Sequence, residues 1–229
     1  MLVWDQNHPT NNVAWDVRAA RFGLQVVRIS TPQNPATRQE LVDASTARLT
    51  DRTPVLAFTQ VPNVSGIRLP VRELVDAAHS RNIFVHVDGA QTWGALDLDL
   101  RDLDVDSFTA SAHKWYMGPK EVGLLYVKAS NIERIWPNVI APGWGNDAET
   151  DLVGARKFES LGQRDDAALA GVGVAAAQHN LISPARVEQR ITQLSQRLKQ
   201  GINELGLELV TPLDPQLSHG VCIVRAPAG

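Results

Sequence analysis

The chain has 229 residues, 44% of them hydrophobic, a net charge of −3 and a pI near 6.1. That length and apolar share can bury a sizeable core in one or two domains, and no basic stripe or like-charge block points to nucleic acid or to a disordered tail. A single cysteine, Cys222, excludes an internal disulfide framework and a cysteine-rich zinc site.

The opening "MLVWDQNHPTNN" has no basic stretch followed by an apolar one, so no secretory leader is expected. Residues 11–21 have a helical pattern, and "LQVVRIS" (24–30) reads as a strand. "ELVDASTARL" reads as a helix and "TPVLAFTQV" as a β-rich run. "PVRELVDAAHSRN" places proline in its first turn and Leu74, Val75 and Ala78 at helical spacing. "IFVHVD", "DSFTASA" and "VGLLYV" follow as strands. Strands separated by helices of this length predict βαβ units and a mostly parallel sheet, and the continuous apolar runs "VLAF" and "VGLLYV" predict strands covered on both faces.

Beyond Gly145 the pattern changes. Residues 165–181 predict an alanine-rich helix, and 184–205 a long amphipathic one that starts at Pro184 and stops at Gly206. "LELVTP" and "GVCIVRAP" are short strand-like runs. The expected division is a large domain over 1–145, an interface segment and linking helix over 146–183, and part of a small α+β domain over 184–229. The apolar face of the 184–205 helix is expected to stand exposed. The longest apolar runs, such as "AALAGVGVAAA", are too short and too rich in Ala and Gly to cross a membrane, so a cytoplasmic protein without membrane association is expected.

Ligands of open parallel sheets bind at the carboxyl ends of strands. Three such ends are polar: "TQVPNVSG" with Asn63, "HVDGAQTWG" with Asp88 and Gln91, and "TASAHKW" with Ser111, His113 and Lys114. An acid, an amide and a lysine at neighbouring strand ends suit a cofactor with a protonated ring nitrogen, a phenolic oxygen and an aldehyde. Pyridoxal phosphate, bound to a lysine opposite an acid, has these groups.

The run D-G-A-Q, then S-x-H-K, G-P and G-x-L-Y-V resembles the class V aminotransferase family of fold-type I pyridoxal phosphate enzymes. "QVPNVSG" resembles that family's asparagine segment, "NHPTNNVAW" its histidine segment, and "FESLGQRDD" a stretch of its isopenicillin N epimerase-like members. The resemblance implies a three-layer α/β/α large domain of the aspartate aminotransferase type plus part of a small α+β domain. It implies that Lys114 forms the Schiff base with pyridoxal phosphate and Asp88 holds the ring nitrogen protonated. Gln91 would bond the phenolic oxygen, with Asn63 near it or near the substrate carboxylate. His8 would stack on the ring, and Ser111 and His113 would contact the phosphate. Gln163 stands where the family has a threonine that reaches the partner subunit's phosphate, which implies a homodimer. The substrate implied is an amino acid, and among epimerisation, transamination and elimination "GQRDD" and "TWGALDLDL" lean towards the epimerase-like branch. The family also has a phosphate-binding turn before, and a carboxylate-binding arginine after, the segments seen here. Either a fragment or a shortened member with weaker cofactor retention is therefore expected. The second reading is a catalytically silent domain that acts as an interaction module.

Other features have plainer readings. Lys120 follows Gly118-Pro119 and reads as a turn lysine. Asp88 in "DGA" could be a turn former, but its place after "FVHV" favours the site. His86, His79, His179 and His219 read as structural, and Trp93 and Trp115 adjoin site residues and wall the pocket. "GVGVAA" matches a dinucleotide fingerprint but has no strand before it, so close helix packing explains it better. Cys222 reads as a buried small hydrophobe, which gives no support to desulfurase chemistry. No metal site is expected.

Overall fold

The computed structural model describes residues 1–139, 154–159 and 162–226. In chain order the strands and helices are β1 (Leu2–Trp4), α1 (Pro9–Phe22), β2 (Val27–Ile29), α2 (Arg38–Thr46), β3 (Val55–Thr59), α3 (Val71–His79), β4 (Phe84–Asp88), β5 (Ser107–Ser111), β6 (Gly123–Val127), α4 (Asp166–Ile182) and α5 (Pro184–Glu204). Short 3-10 turns occupy Ala129–Arg134 and Gly154–Phe158. Among the described residues no helix is long and apolar enough to cross a membrane.

The strands form one sheet in the order β2-β1-β3-β4-β5-β6. All neighbours are parallel except β5 and β6, which are antiparallel. This is the mostly parallel α/β sheet that the alternation of strands and helices predicts. The register puts Thr59 beside Asp88 and Asp88 beside Thr109, so the polar ends of three strands meet at one edge.

Local chemistry explains where the helices start and stop. The Thr37 side chain accepts from the backbone N–H of Glu40, and the Asp165 side chain from that of Ala168, each taking one of the donors a helix N-terminus leaves free. His8 caps α1 with Pro9 at the first helical position. Helix α3 buries Val71, Leu74, Val75 and Ala78 on one face, which packs on β4. Helices α4 and α5 meet at Ser183, and α5 ends before the left-handed Gly206.

The core lies between the sheet and the α2–α3 side, and includes Trp4, Leu56, Phe58, Leu74, Val85, Val87 and Phe108. In β4 burial alternates: Val85 and Val87 point into this core, while Phe84, His86 and Asp88 occupy the other, half-exposed face. Leu217, from the C-terminal segment, joins the same core.

Several expectations need correction. The strand read over 24–30 is only Val27–Ile29. Strand β6 is not covered on both faces: it is the antiparallel edge of the sheet, and Leu125 is 49% exposed. A continuous apolar run cannot by itself distinguish an edge strand from a central one. The two C-terminal strand-like runs make one isolated antiparallel bridge, Leu209 to Val224, and no strand. Strand β1 was not anticipated, because three apolar residues show no period. The exposed apolar face of α5 is present: Leu194, Leu198 and Leu205 all stand in solvent.

Candidate active site

A cavity of about 570 Å³ opens where β4 and β5 end and α1 begins. Its walls bring together residues far apart in sequence: His8, Thr10 and Asn11 from the α1 start, His86 and Asp88 from β4, and Thr109, Ser111, His113 and Lys114 from β5 and the turn after it. Five of the expected site residues, His8, Asp88, Ser111, His113 and Lys114, therefore share one cavity.

Asp88 is held on both oxygens. Oδ1 accepts from the backbone N–H of Ala90 at 2.9 Å, and Oδ2 from the Thr59 hydroxyl at 3.3 Å. The glycine after it is set by packing. A Cβ at Gly89 would stand 1.8 Å from the Phe108 ring, so the buried ring passes directly beneath this backbone. Asp88 thus sits at a point where the chain is pressed onto the core, which a simple surface turn does not require.

Lys114 lies in a tight turn closed by two backbone bonds, Met117 N–H to Lys114 C=O and Gly118 N–H to Ala112 C=O. The turn holds the lysine half-buried at the cavity wall, whereas Lys120 is exposed and outside it. His8 is exposed at the cavity rim, with Nδ1 2.7 Å from the Thr10 hydroxyl.

His86 sits deeper on the same strand face as Asp88, with Nδ1 2.8 Å from the Ser107 hydroxyl. Burial pushes its pKa below the ordinary histidine value, and the Asp88 carboxylate opposes that in part. The ring is therefore neutral at neutral pH.

The other three expected residues do not line this cavity. Asn63 is exposed in the loop after β3, and Gln163 is exposed just before the α4 cap. Gln91 is half-buried behind the Asp88 loop, and its Oε1 accepts from the Trp115 indole N–H at 2.8 Å. Residues that sequence reading missed are Thr59, Thr10, Asn11 and Thr109. Thr59 carried a signal, since it ends a strand as Asp88 does, but only the parallel register shows that the two are neighbours.

Outside the cavity, His79 pairs with Asp106 and Asp104, and His219 bonds the Ala95 carbonyl, which are structural roles. His179 is buried and stacks on Tyr116, itself stacked on Trp93. Burial raises the thiol pKa of Cys222, away from the cavity wall. Among the described residues no cluster of His, Cys, Asp and Glu could hold a metal ion.

Comparison with known proteins gives this geometry its context. The chain is 29% identical over 240 residues to the isopenicillin N epimerase of Streptomyces clavuligerus, an alignment covering all of the chain and 60% of that protein. It is 30% identical over 211 residues to a probable cysteine desulfurase of Vibrio cholerae, covering 90% of the chain and 50% of the relative. The chain thus spans about half to three-fifths of the length of these relatives. Among solved structures it resembles a C-DES mutant with glycine covalently linked to its PLP cofactor, at a TM-score of 0.84 and 25% identity, over 94% of the chain and 58% of that one. The fold is accordingly the three-layer α/β/α type of these PLP-dependent proteins. The family model "Aminotransferase class-V" matches residues 1–226, and the chain belongs to that family.

Proposed function

We propose that the chain carries the pyridoxal phosphate site of an enzyme that acts on an amino acid. The observation that carries this reading is the meeting of Asp88 and Lys114 in one cavity at adjacent strand ends. The donor set fits the cofactor: an amine for its aldehyde, a carboxylate fixed by Thr59 and Ala90 for a protonated ring nitrogen, and hydroxyl and imidazole groups for its phosphate. When bound, the cofactor supplies an electron sink for the charge that develops at the substrate's Cα.

The chain's own residues have the remaining tasks. Lys114 would hold the cofactor covalently and, once its amine is free, take the proton from the substrate's Cα. Asp88 would keep the ring nitrogen charged, Ser111 and His113 would bind the phosphate, and His8 would cover the ring from the α1 start. Gln91 would bond the phenolic oxygen, and Asn63 would stand near it or near the substrate carboxylate. Similarity to the epimerase supports epimerase or racemase chemistry, with transamination as the neighbouring outcome. The proposed organisation keeps a cofactor-binding large domain over 1–145, a linking segment over 146–183 and part of a small domain over 184–229, in a cytoplasmic protein.

To test the reading, incubate the protein with pyridoxal phosphate, reduce with borohydride and map the modified lysine by mass spectrometry. Label on Lys114 is expected, and label on Lys120 would overturn the assignment. The reading includes a homodimer, supported by the exposure of Gln163 outside its own cavity. Light scattering is expected to give twice the chain mass, and a monomer that turns over substrate would remove this part.

A further inference from the structure

Gln91 and Trp115 sit on the two loops that carry Asp88 and Lys114, and the Trp115 indole N–H donates to Gln91 Oε1 at 2.8 Å. An indole nitrogen can only donate, so this contact decides which end of the amide faces it. The oxygen is taken, and among the described residues the NH2 group has no hydrogen-bond partner. The indole is itself held in place. Its six-membered ring packs on Gly220, where a Cβ would stand 2.7 Å from Trp115 Cη2 and 2.9 Å from Ile191 Cγ2 of α5. Next to it, Tyr116 stacks on Trp93 with centroids 3.9 Å apart, and on buried His179 at 4.6 Å. The two loops are therefore joined twice, once by a directional hydrogen bond and once by stacked rings.

We propose that Trp115 is a positioning residue: it fixes the Gln91 amide so that its NH2 serves as a donor for the phenolic oxygen of lysine-bound pyridoxal phosphate. The inference rests on the proposed roles of Lys114 and Gln91. A donor on that oxygen weakens its hold on the proton at the lysine–cofactor link. Removing the donor raises the pH at which the visible band of the bound cofactor changes.

The test is the pH midpoint of that band at saturating pyridoxal phosphate. Trp115→Phe keeps a flat ring against Gly220 but has no N–H, and should raise the midpoint by about half to one pH unit. Gln91→Ala should raise it at least as far, and adding Trp115→Phe to Gln91→Ala should move it no further, because residue 115 acts only through residue 91. An unchanged midpoint in Trp115→Phe, or a second full shift in the double variant, overturns the proposal. A wild-type chain that shows no band at all overturns the functional reading beneath it, which is a distinguishable failure. A second measurement needs no substitution at 115. In the cofactor-free chain, Gln91→Ala should move one indole N–H signal and speed its solvent exchange. Indole signals that all keep their positions and exchange rates overturn the proposal even if Trp115→Phe does not fold.

Discussion

Asp88 is anchored by groups that do not depend on its charge. The Ala90 N–H and the Thr59 hydroxyl both donate to it, and an asparagine oxygen can accept one of these bonds. Asp88→Asn should therefore leave the thermal midpoint within a few degrees of wild type. Under the proposed function it should cut turnover at least about a hundredfold, the scale of a lost proton-handling group. Circular dichroism melting and a turnover assay on one preparation would check this, and wild-type turnover would refute the role. Asp88 and Lys114 were legible in the sequence because their motifs are contiguous and each follows an apolar strand. Thr59 was not, because its value comes from the register between β3 and β4. The Gln91–Trp115 bond was not either, because it spans 24 residues and two loops whose approach no local pattern encodes.

At the scale of elements, the C-terminal segment is tied to the loop after β3 by backbone and side-chain bonds. Arg68 N–H donates to the Leu217 carbonyl at 2.8 Å, and the Thr211 hydroxyl donates to the Ser65 carbonyl at 2.7 Å. Gly66 lies at the centre of this contact with φ +70°, and a Cβ there would stand 2.7 Å from the Val221 carbonyl oxygen and 2.8 Å from Thr211 Oγ1. Gly66→Ala meets both a left-handed backbone and a backbone clash, so it should cost roughly 2–4 kcal/mol and loosen residues 207–226 first. Denaturant unfolding and limited proteolysis would measure the two effects; an unaltered midpoint would show that the contact is slack. The helices were legible from period, proline and glycine signals. This docking was not, because "LELVTP" and "GVCIVRAP" look like strands and form only one isolated bridge with each other. Their backbone groups bond to each other, as Val210 N–H does to the Ile223 carbonyl and Arg225 N–H to the Glu208 carbonyl, while the ties to the loop after β3 run through the Thr211 hydroxyl and the Leu217 carbonyl, which local pattern cannot show.

For the whole molecule, acid is the condition to which the fold should be sensitive. Burial lowers the pKa of both His86 and His219 from the ordinary 6.5. In the unfolded chain both take up protons near that value, while in the fold they stay neutral. Their contribution is complete above pH 6.5 and is lost as pH falls from there towards the depressed values of the fold. Each histidine can steepen the loss by up to about 1.4 kcal/mol per pH unit across that window. Urea unfolding at several pH values from about 7.5 down to about 5, the range in which histidine titrates, is the measurement; His219→Gln should flatten the dependence, and an identical slope would rule the residue out. The placement of Leu217 in the main core also has a consequence for biosynthesis. The bridge between Ile67 and Ser218 joins the loop after β3 to the C-terminal segment, so the core reaches its final packing only after nearly all of the described chain has left the ribosome. Nascent chains arrested before Leu217 emerges should stay open to protease, and those arrested after it should become resistant.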